Sequence, residues 1–465
     1  MKTGMDKHRN EIQSQIGFIQ RLSYSIFPGM LRGGKDQRRY RRYLNTFILH
    51  FRPRKVPERT LRFTLTWGLG GMAFVLVTLL IGTGLLLKFF YLPSPEKAYE
   101  SVLYLQNTVL FGQLIRNIHH WSANLALVVV FLHLMRVFFT GAFHPPRQFN
   151  WIVGLGLFLF VLLSNFTGYL LPWDQLSFWA VTISVGMLEY IPFVGLWLRE
   201  LIQGGAEVGP ATLSNFYAIH TAVLPVLLIF FLLFHFWRVR RAGGVVVPRG
   251  PDEGMETRGE TVHSIPNLLL REVVVALVLI AFILVVSTIF NAPLESKANP
   301  GLSPNPTKAP WYFMGIQELL LHFHPLFSLF VIPLCTGIGL VMLPYLNYPS
   351  NPAGIWMTSL KGRKMALTAV FFAVGATIGG VLLDEYVIRS PSWMSDVPAY
   401  LTAGLIQFMV IMILILGFYA KMKRFYTANR NEAVQTLFVL LLTAFVVLTV
   451  IGIWFRGPGM KLVWP

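Results

Sequence analysis

Long apolar stretches separated by short polar ones dominate the pattern of this chain. A helix needs about 20 predominantly apolar residues to cross a bilayer. Nine stretches have spanning length, at 62–91, 113–140, 151–171, 216–238, 270–290, 323–345, 364–384, 399–420 and 433–455. Before them, isoleucine and leucine at helical spacing between residues 12 and 26 predict a short amphipathic helix on the membrane surface. The pattern predicts an all-α integral membrane protein with about nine transmembrane helices.

The composition is that of an integral membrane protein, and the distribution of charge predicts its orientation across the membrane. The chain has 465 residues, of which 54% are hydrophobic and 13% charged, and its mean hydropathy is +0.58. Its net charge of +18 suggests nucleic acid at first sight, but the basic residues concentrate in alternate loops, which marks those loops as cytoplasmic. We therefore expect no nucleic-acid partner, a bacterial-type inner membrane, a cytoplasmic N-terminus and an outer C-terminus.

The polar stretches also predict the domain organisation. Residues 242–267 are rich in glycine, proline and charge and are interpreted as a cytoplasmic linker. It separates a front domain of four helices at 62–241 from a back domain at 268–422. Residues 1–61 form a basic cytoplasmic segment, and residues 423–465 add a further transmembrane helix with a tail.

Two of the apolar stretches each carry two histidines. His119 and His133 are 14 residues apart, and His220 and His235 are 15 apart. At about 100° and 1.5 Å per residue, His119 and His133 leave the same helix face about 21 Å apart. Pairing by depth joins His119 with His220 near the outer face and His133 with His235 near the inner face. Because two axial imidazoles per iron describe an electron-carrying haem, the spacing predicts two bis-histidine haems.

Glycines in the flanking stretches share this period. Gly70 and Gly84 are 14 residues apart in the first stretch, as are Gly154 and Gly168 in the third. Glycine lets a porphyrin edge approach the backbone, although each glycine alone is also common in ordinary helix packing. The shared period indicates haem binding.

Two arginines accompany the histidines of the second stretch. Arg116 and Arg136 each lie three residues from one of them. They are suited to charge-assisted hydrogen bonds with haem propionates, and for Arg136 simple interfacial anchoring is the alternative.

These motifs resemble cytochrome b of the quinol-oxidising bc-type complexes, with the front and back halves fused. The resemblance rests on the histidine helices, the matched glycines, Pro172-Trp173-Asp174-Gln175 and Ala309-Pro310-Trp311-Tyr312, and it covers roughly 60–420. The spacing of 15 between His220 and His235 is similar to that of the photosynthetic branch.

The resemblance implies an activity and partners. A quinol:cytochrome c oxidoreductase subunit of this kind oxidises quinol at the outer face, reduces quinone near the inner haem and passes electrons across the membrane through two b haems, coupled to proton translocation. Its expected partners are a Rieske iron–sulfur protein, a c-type cytochrome and membrane quinone, in a homodimeric complex.

The chain departs from the family in three places. Photosynthetic relatives attach a further haem through a cysteine whose matching position here is Gly68. Because Cys335 is the only cysteine, we expect no covalent haem. The ninth apolar stretch exceeds the family's usual eight. Pro310 occupies the place of a glutamate in the family's outer-site loop.

The outer quinol site is therefore predicted around Trp311 and Tyr312, with Glu318 as replacement proton acceptor. Partial burial is expected to raise its pKa into the range of a general base. His322 and His324 are the next candidates. The alternative is that Glu318 only caps or solvates a surface segment.

Arg240 and the basic stretch 38–42 are candidates for an inner quinone pocket. Cytoplasmic topology explains them equally well.

Two other functions stay open at this stage. One is a quinone-reactive dihaem subunit that does not bifurcate electrons and is partnered with a multihaem cytochrome, which the missing glutamate favours. The other is a non-redox transporter whose buried histidines shuttle protons, although it has no use for the glycine period.

Overall fold

The computed structural model describes Ile26, residues 55–247, 260–348, 360–388, Pro398 and residues 400–464. The predicted amphipathic helix apart from Ile26, the basic stretch 38–42 and residues 248–259 of the linker lie outside the described residues. Within them, nine helices are long and apolar enough to span a membrane, which confirms the predicted number. In chain order they are Leu69–Lys88, Gly112–Phe139, Gln148–Leu170, Pro210–Arg241, Ser264–Ile289, Leu326–Tyr345, Leu360–Ile388, Leu401–Phe425 and Arg430–Trp454.

Shorter elements lie between and beyond these spans. The α-helical ones are Phe63–Thr66, Ala98–Asn107, Gln175–Gly186, Gly195–Gln203 and Met314–His322. Single turns of 3₁₀ helix cover Glu58–Leu61, Met187–Tyr190, Trp311–Phe313 and Pro458–Met460. Strand β1 (Lys55–Pro57) pairs antiparallel with β2 (Thr261–His263), so the entry to the front domain lies beside the end of the linker.

The first four spans form one bundle around a shared core. Leu76, Ala126, Leu157 and Leu228, one from each span, belong to a single buried cluster. Leu279 of the fifth span packs on the same cluster and joins the back half to the bundle. The bundle is therefore closed by side chains from every one of its helices.

The ninth span is an integrated part of the back half. It begins with a capping box in which the side chain of Asn429 accepts a hydrogen bond from the backbone of Glu432, and the carboxylate of Glu432 accepts one from the backbone of Asn429. This start lies three residues before the predicted one. Phe438 stacks on Phe138 of the second span with ring centres 3.9 Å apart. Val439 packs in one buried cluster with Met365 of the seventh span, so the ninth span contacts both halves of the protein.

Candidate functional site

The four histidines face each other in the two pairs predicted by depth. The ring centres of His119 and His220 are 6.2 Å apart, and those of His133 and His235 are 6.4 Å apart. Two metal–nitrogen bonds of about 2 Å, plus about 1 Å from each nitrogen to its ring centre, give about 6 Å between ring centres. Each pair is therefore spaced to hold one six-coordinate iron.

Hydrogen bonds select the tautomer of the outer pair. Nδ1 of His220 lies 3.0 Å from the carbonyl oxygen of Ser164, which can only accept. Nδ1 of His119 lies 2.9 Å from the hydroxyl of Thr83, which donates to the Leu79 carbonyl at 2.7 Å and so accepts from the ring. Both rings therefore carry their hydrogen on Nδ1, which leaves the Nε2 lone pair for a metal.

The inner pair is held differently. Nδ1 of His235 is buried and has no hydrogen-bond partner among the described residues. In the third span Val153 precedes Gly154 at this depth, whereas Thr167 precedes Gly168 at the other. Among the described residues, His235 therefore lacks a hydroxyl neighbour of the kind that His220 has in Thr167.

The four glycines lie directly against the four histidines. Each approach is measured from the position that a Cβ would take to Cε1 of the nearest ring. The distances are 3.4 Å for Gly70 and His133, 3.3 Å for Gly84 and His119, 3.8 Å for Gly154 and His235, and 2.6 Å for Gly168 and His220. The glycines therefore make room for the imidazoles themselves, a use that the sequence analysis did not anticipate.

A π-helical turn explains the unequal histidine spacing. It covers Ile219–Val223 and so includes His220. Pro225 follows, and because proline has no N–H it removes the α-helical donor to the Thr221 carbonyl. A π turn takes up one extra residue, so 15 residues in this span bring His220 and His235 to faces that 14 residues give in a regular helix.

Arg116 and the Pro172–Gln175 motif bind the first loop of the back half. The Arg116 guanidinium donates to the carbonyls of Ala292 and Pro293 at 2.8 and 2.6 Å. Asp174 accepts from the backbone N–H of Glu295 at 3.2 Å. These contacts fix the outer ends of the two halves together.

Arg136 lies near the C-terminal end of the second span, three residues after His133. Its guanidinium donates to the carbonyls of Leu65 and Val246 at 3.1 and 3.2 Å. It therefore links the start of the front domain to the beginning of the linker.

The predicted outer site meets the haem-ligand helix through one hydrogen bond. Trp311 donates from Nε1 to Oδ1 of Asn124 at 2.7 Å, and Asn124 lies five residues after His119 on the same span. Tyr312 packs against the core of the four-helix bundle, and burial raises the pKa of its hydroxyl. The structure thus brings Trp311 and Tyr312 to the front bundle.

Glu318 is arranged differently from its predicted role. Its side chain is fully buried, with Arg456 Nη2 2.6 Å and His322 Nε2 3.2 Å from Oε1. Burial alone would raise the pKa of Glu318, but hydrogen bonds and charges from His322 and Arg456 outweigh it and lower the pKa. The expectation of a raised pKa is wrong, and a carboxylate held in an ion pair is a poor general base.

Comparison with known proteins decides the family. A family model described as Cytochrome b/b6/petB matches residues 57–243. Cytochrome b6 of Prochlorothrix hollandica is 46% identical over 175 residues, which are 38% of this chain and 79% of that protein. The chain belongs to the cytochrome b family. Membership makes it a multi-pass membrane protein that binds b-type haem.

Further similarities extend the cytochrome b assignment. The menaquinol:cytochrome c reductase cytochrome b subunit of Geobacillus thermodenitrificans is 43% identical over 175 residues, covering 37% of this chain and 78% of that one. A chain of a structure titled hyperthermophilic respiratory Complex III is 22% identical with a TM-score of 0.61, covering 90% of this chain and 97% of that one. The fold similarity therefore includes the back half, beyond the residues of the family model.

Sequence reasoning missed several residues of this cytochrome b. Thr83 orients His119, and Thr167 lies 3.3 Å from Nδ1 of His220. Each threonine immediately precedes one of the two outer glycines, and that repeated Thr-Gly pair was a usable signal. Arg456 gave only a weaker one, as a single arginine just after an apolar helix.

Proposed function

We propose that this chain is the dihaem cytochrome b subunit of a membrane quinol:cytochrome c oxidoreductase, oxidising quinol at the outer face with coupled proton translocation. The observation that carries the proposal is the arrangement of two histidine pairs at two depths of one bundle, beside the Trp311–Tyr312 segment. The name of the similar Geobacillus subunit, a menaquinol:cytochrome c reductase, supports this activity.

The residues have distinct roles in this proposal. His119 and His220 hold the outer haem, and His133 and His235 the inner one. When bound, bis-histidine haems accept and release single electrons without an open coordination position. Gly70, Gly84, Gly154 and Gly168 keep space for the ligand rings.

The two arginines next to the ligands have a double role. Arg116 and Arg136 each combine five fixed donors with contacts to backbone carbonyls at opposite ends of the second span. We assign their remaining donors to the haem propionates, whose negative charges these guanidinium groups would balance.

The outer reaction uses Trp311 and Tyr312 to shape the quinol pocket against the front bundle. Proton release on the outer side and uptake on the inner side accompany quinol oxidation and quinone reduction. Arg240 is assigned to the inner side, where a cation favours quinone binding.

The domains and partners follow from the same proposal. Residues 62–241 form the haem domain, 242–267 the linker, 268–422 the domain with the outer loop, and 423–465 the additional helix and tail. A Rieske protein and a c-type cytochrome are the expected partners in a homodimeric complex in the inner membrane, with the C-terminus outside.

Purification of the intact complex from its own membranes tests the proposal. We expect two b haems per chain, no haem covalently attached to it, and reduction of both haems by a quinol. The wild-type complex should contain a Rieske subunit. A purified complex whose haems are reduced by dithionite and not by any quinol contradicts the proposed activity.

A second function is favoured by one specific observation. Pro310 carries no proton acceptor, and Glu318 is engaged by Arg456. This suits a quinone-reactive dihaem subunit that does not bifurcate electrons and works with a multihaem cytochrome. Subunit identification distinguishes the two, because only the first requires a Rieske protein.

A further inference from the structure

A buried arginine lies just beyond the ninth span. The side chain of Arg456 is fully buried, and all three of its nitrogens are engaged. Nε contacts both carboxylate oxygens of Glu318 at 3.1 and 3.0 Å, and Nη2 donates to Oε1 at 2.6 Å. Nη1 donates to Glu385 at 3.2 Å and to the Met460 carbonyl at 2.9 Å. Arg456 therefore joins the Met314–His322 helix to the end of the seventh span.

A histidine completes the charged cluster. His322 directs Nδ1 to Asp384 at 2.6 Å and Nε2 to Glu318 at 3.2 Å. Desolvation lowers the pKa of His322, but its bonds to the two carboxylates outweigh this and raise the pKa. Gln407 donates to the other oxygen of Asp384 at 3.2 Å. Side chains from the seventh, eighth and ninth spans thus converge on one short helix.

The backbones of this short helix and the ninth span are also in close contact. A Cβ on Gly315 would lie 2.6 Å from Thr449 Oγ1, and one on Gly452 would lie 3.1 Å from the Met314 carbonyl. Only glycine permits this approach at Gly315, because a side chain there would meet Thr449 directly. The helix therefore cannot move relative to the ninth span without breaking packing as well as the ion pair.

The loop that precedes the helix is fixed by the same span. Lys308 donates from Nζ to the Ile453 carbonyl at 2.9 Å, and the backbone N–H of Gly459 donates to Asn305 at 2.6 Å. Trp311 and Tyr312 lie between these contacts and the Arg456–Glu318 pair. On the other side, Trp311 is fixed to Asn124 of the ligand helix.

We propose that Arg456 is a positioning residue of the outer quinol site, which holds Trp311 and Tyr312 against the front bundle through its bidentate pair with Glu318. The inference rests on the proposed function, and it gives the ninth span a role in the reaction. A guanidinium suits this role because its planar fork fixes the direction of a carboxylate, whereas an ammonium is a point charge.

Conservative and charge-balanced variants test this in the assembled complex. Arg456→Lys keeps the positive charge and loses the fork. The double variant Glu318→Gln/Arg456→Met removes both charges, so that no unpaired ion stays buried. Arg430→Met is the matched control, since Arg430 is an exposed arginine at the opposite end of the same span. The measurements are dithionite-reducible haem content and the KM and kcat for quinol-driven haem reduction.

We expect wild-type haem content in all three proteins and wild-type kinetics only in the control. Because a misplacement of about 1 Å costs up to about a hundredfold in rate, kcat/KM for quinol should fall about ten- to a hundredfold in Arg456→Lys and in the double variant. Wild-type kcat/KM in either one overturns the inference. So does loss of both haems in Arg456→Lys, which would assign Arg456 to folding.

Measurements on the wild-type complex distinguish failure of the positioning role from failure of the proposed function. If wild type reduces its haems with quinol and the Arg456 variants do so equally well, the positioning role fails while the proposed function stands. If wild type itself does not react with quinol, the proposed function fails and this inference fails with it.

Discussion

A Cβ placed on Gly168 would lie 2.6 Å from Cε1 of His220. This is closer than two carbon atoms can approach without displacement. The backbone of the third span therefore serves as one wall of the space that holds the His220 ring.

Gly168→Ala tests that contact against a weaker one. The added methyl group should push His220 from its position and reduce outer-haem occupancy by more than half. The matched variant Gly154→Ala places a methyl group 3.8 Å from His235, an ordinary contact, and should retain both haems. Haem content and low-temperature spectra of the purified complex provide the measurement. Equal occupancy in the two variants would show that the glycines at this period serve helix packing alone.

The pairing of the histidines predicts which haem each substitution removes. His119→Ala should eliminate the outer haem and retain the inner one, because each haem iron needs its own pair of histidines. His120→Ala is the control on the neighbouring position, and it should retain both haems. Haem extraction should give one haem per chain for the first variant and two for the second. Simultaneous loss of both haems from a folded, inserted His119→Ala protein would contradict the pairing.

Thr83 should tune the outer haem. The hydrogen bond that its hydroxyl accepts from Nδ1 of His119 increases the basicity of the ligand and favours ferric iron. Thr83→Val removes a bond worth about 1 kcal/mol, or about 40 mV for a one-electron couple, so the outer midpoint potential should rise by about that amount. Thr78→Val is the control, since among the described residues the Thr78 hydroxyl bonds only to the Phe74 carbonyl of its own helix. A redox titration that shows no difference between these two variants would remove Thr83 from the site.

The histidine and glycine positions could be predicted because they depend on the period of a single helix. An α-helix returns to the same face about every 3.6 residues, so the spacing of His119 and His133 alone indicates that they share a face. The partner of each histidine followed from depth. The same reasoning missed Thr83, because the period of 14 was searched for histidine and glycine only, and the threonine before each outer glycine was not compared between spans.

The role of Glu318 could not be predicted from local pattern. Its partner Arg456 is 138 residues away in sequence, and only the packing of the ninth span brings them together. Burial alone would raise the pKa of Glu318, and the hydrogen bonds and charges of His322 and Arg456 together reverse the direction. The error therefore came partly from a contact between residues that are distant in the sequence.

The proposed orientation of the protein predicts which loops can be labelled from outside. In a Cys335→Ser background, Ser303→Cys should react with an impermeant thiol reagent added to intact cells. Thr261→Cys should react only after the cells are opened. Both positions are exposed on the protein surface, so accessibility across the membrane is what differs. The opposite labelling pattern would exchange the outer and inner assignments of the two histidine pairs.

The hydrogen bond between Trp311 and Asn124 should matter for quinol oxidation. Trp311→Phe keeps an aromatic ring and deletes the Nε1 donor, which leaves Oδ1 of Asn124 without this partner. The loss of about 1 kcal/mol corresponds to about a fivefold fall in kcat/KM for quinol. Because Trp311 bonds to Asn124 and not to a histidine of either pair, we expect the haem content to be unchanged and the fall to appear in quinol-driven haem reduction.

Trp151→Phe is the control for the Trp311 substitution. Trp151 donates a bond of similar length, 2.8 Å to the Leu340 carbonyl, near the proposed inner face. Its loss should cost comparable stability and leave quinol oxidation at the outer site unchanged. Asn124→Ala should reproduce the Trp311→Phe effect, and the double variant should add little to either, because both remove the same bond. Fully additive losses would mean that Trp311 and Asn124 act separately, and that the Trp311 segment is not held to the ligand helix by this bond.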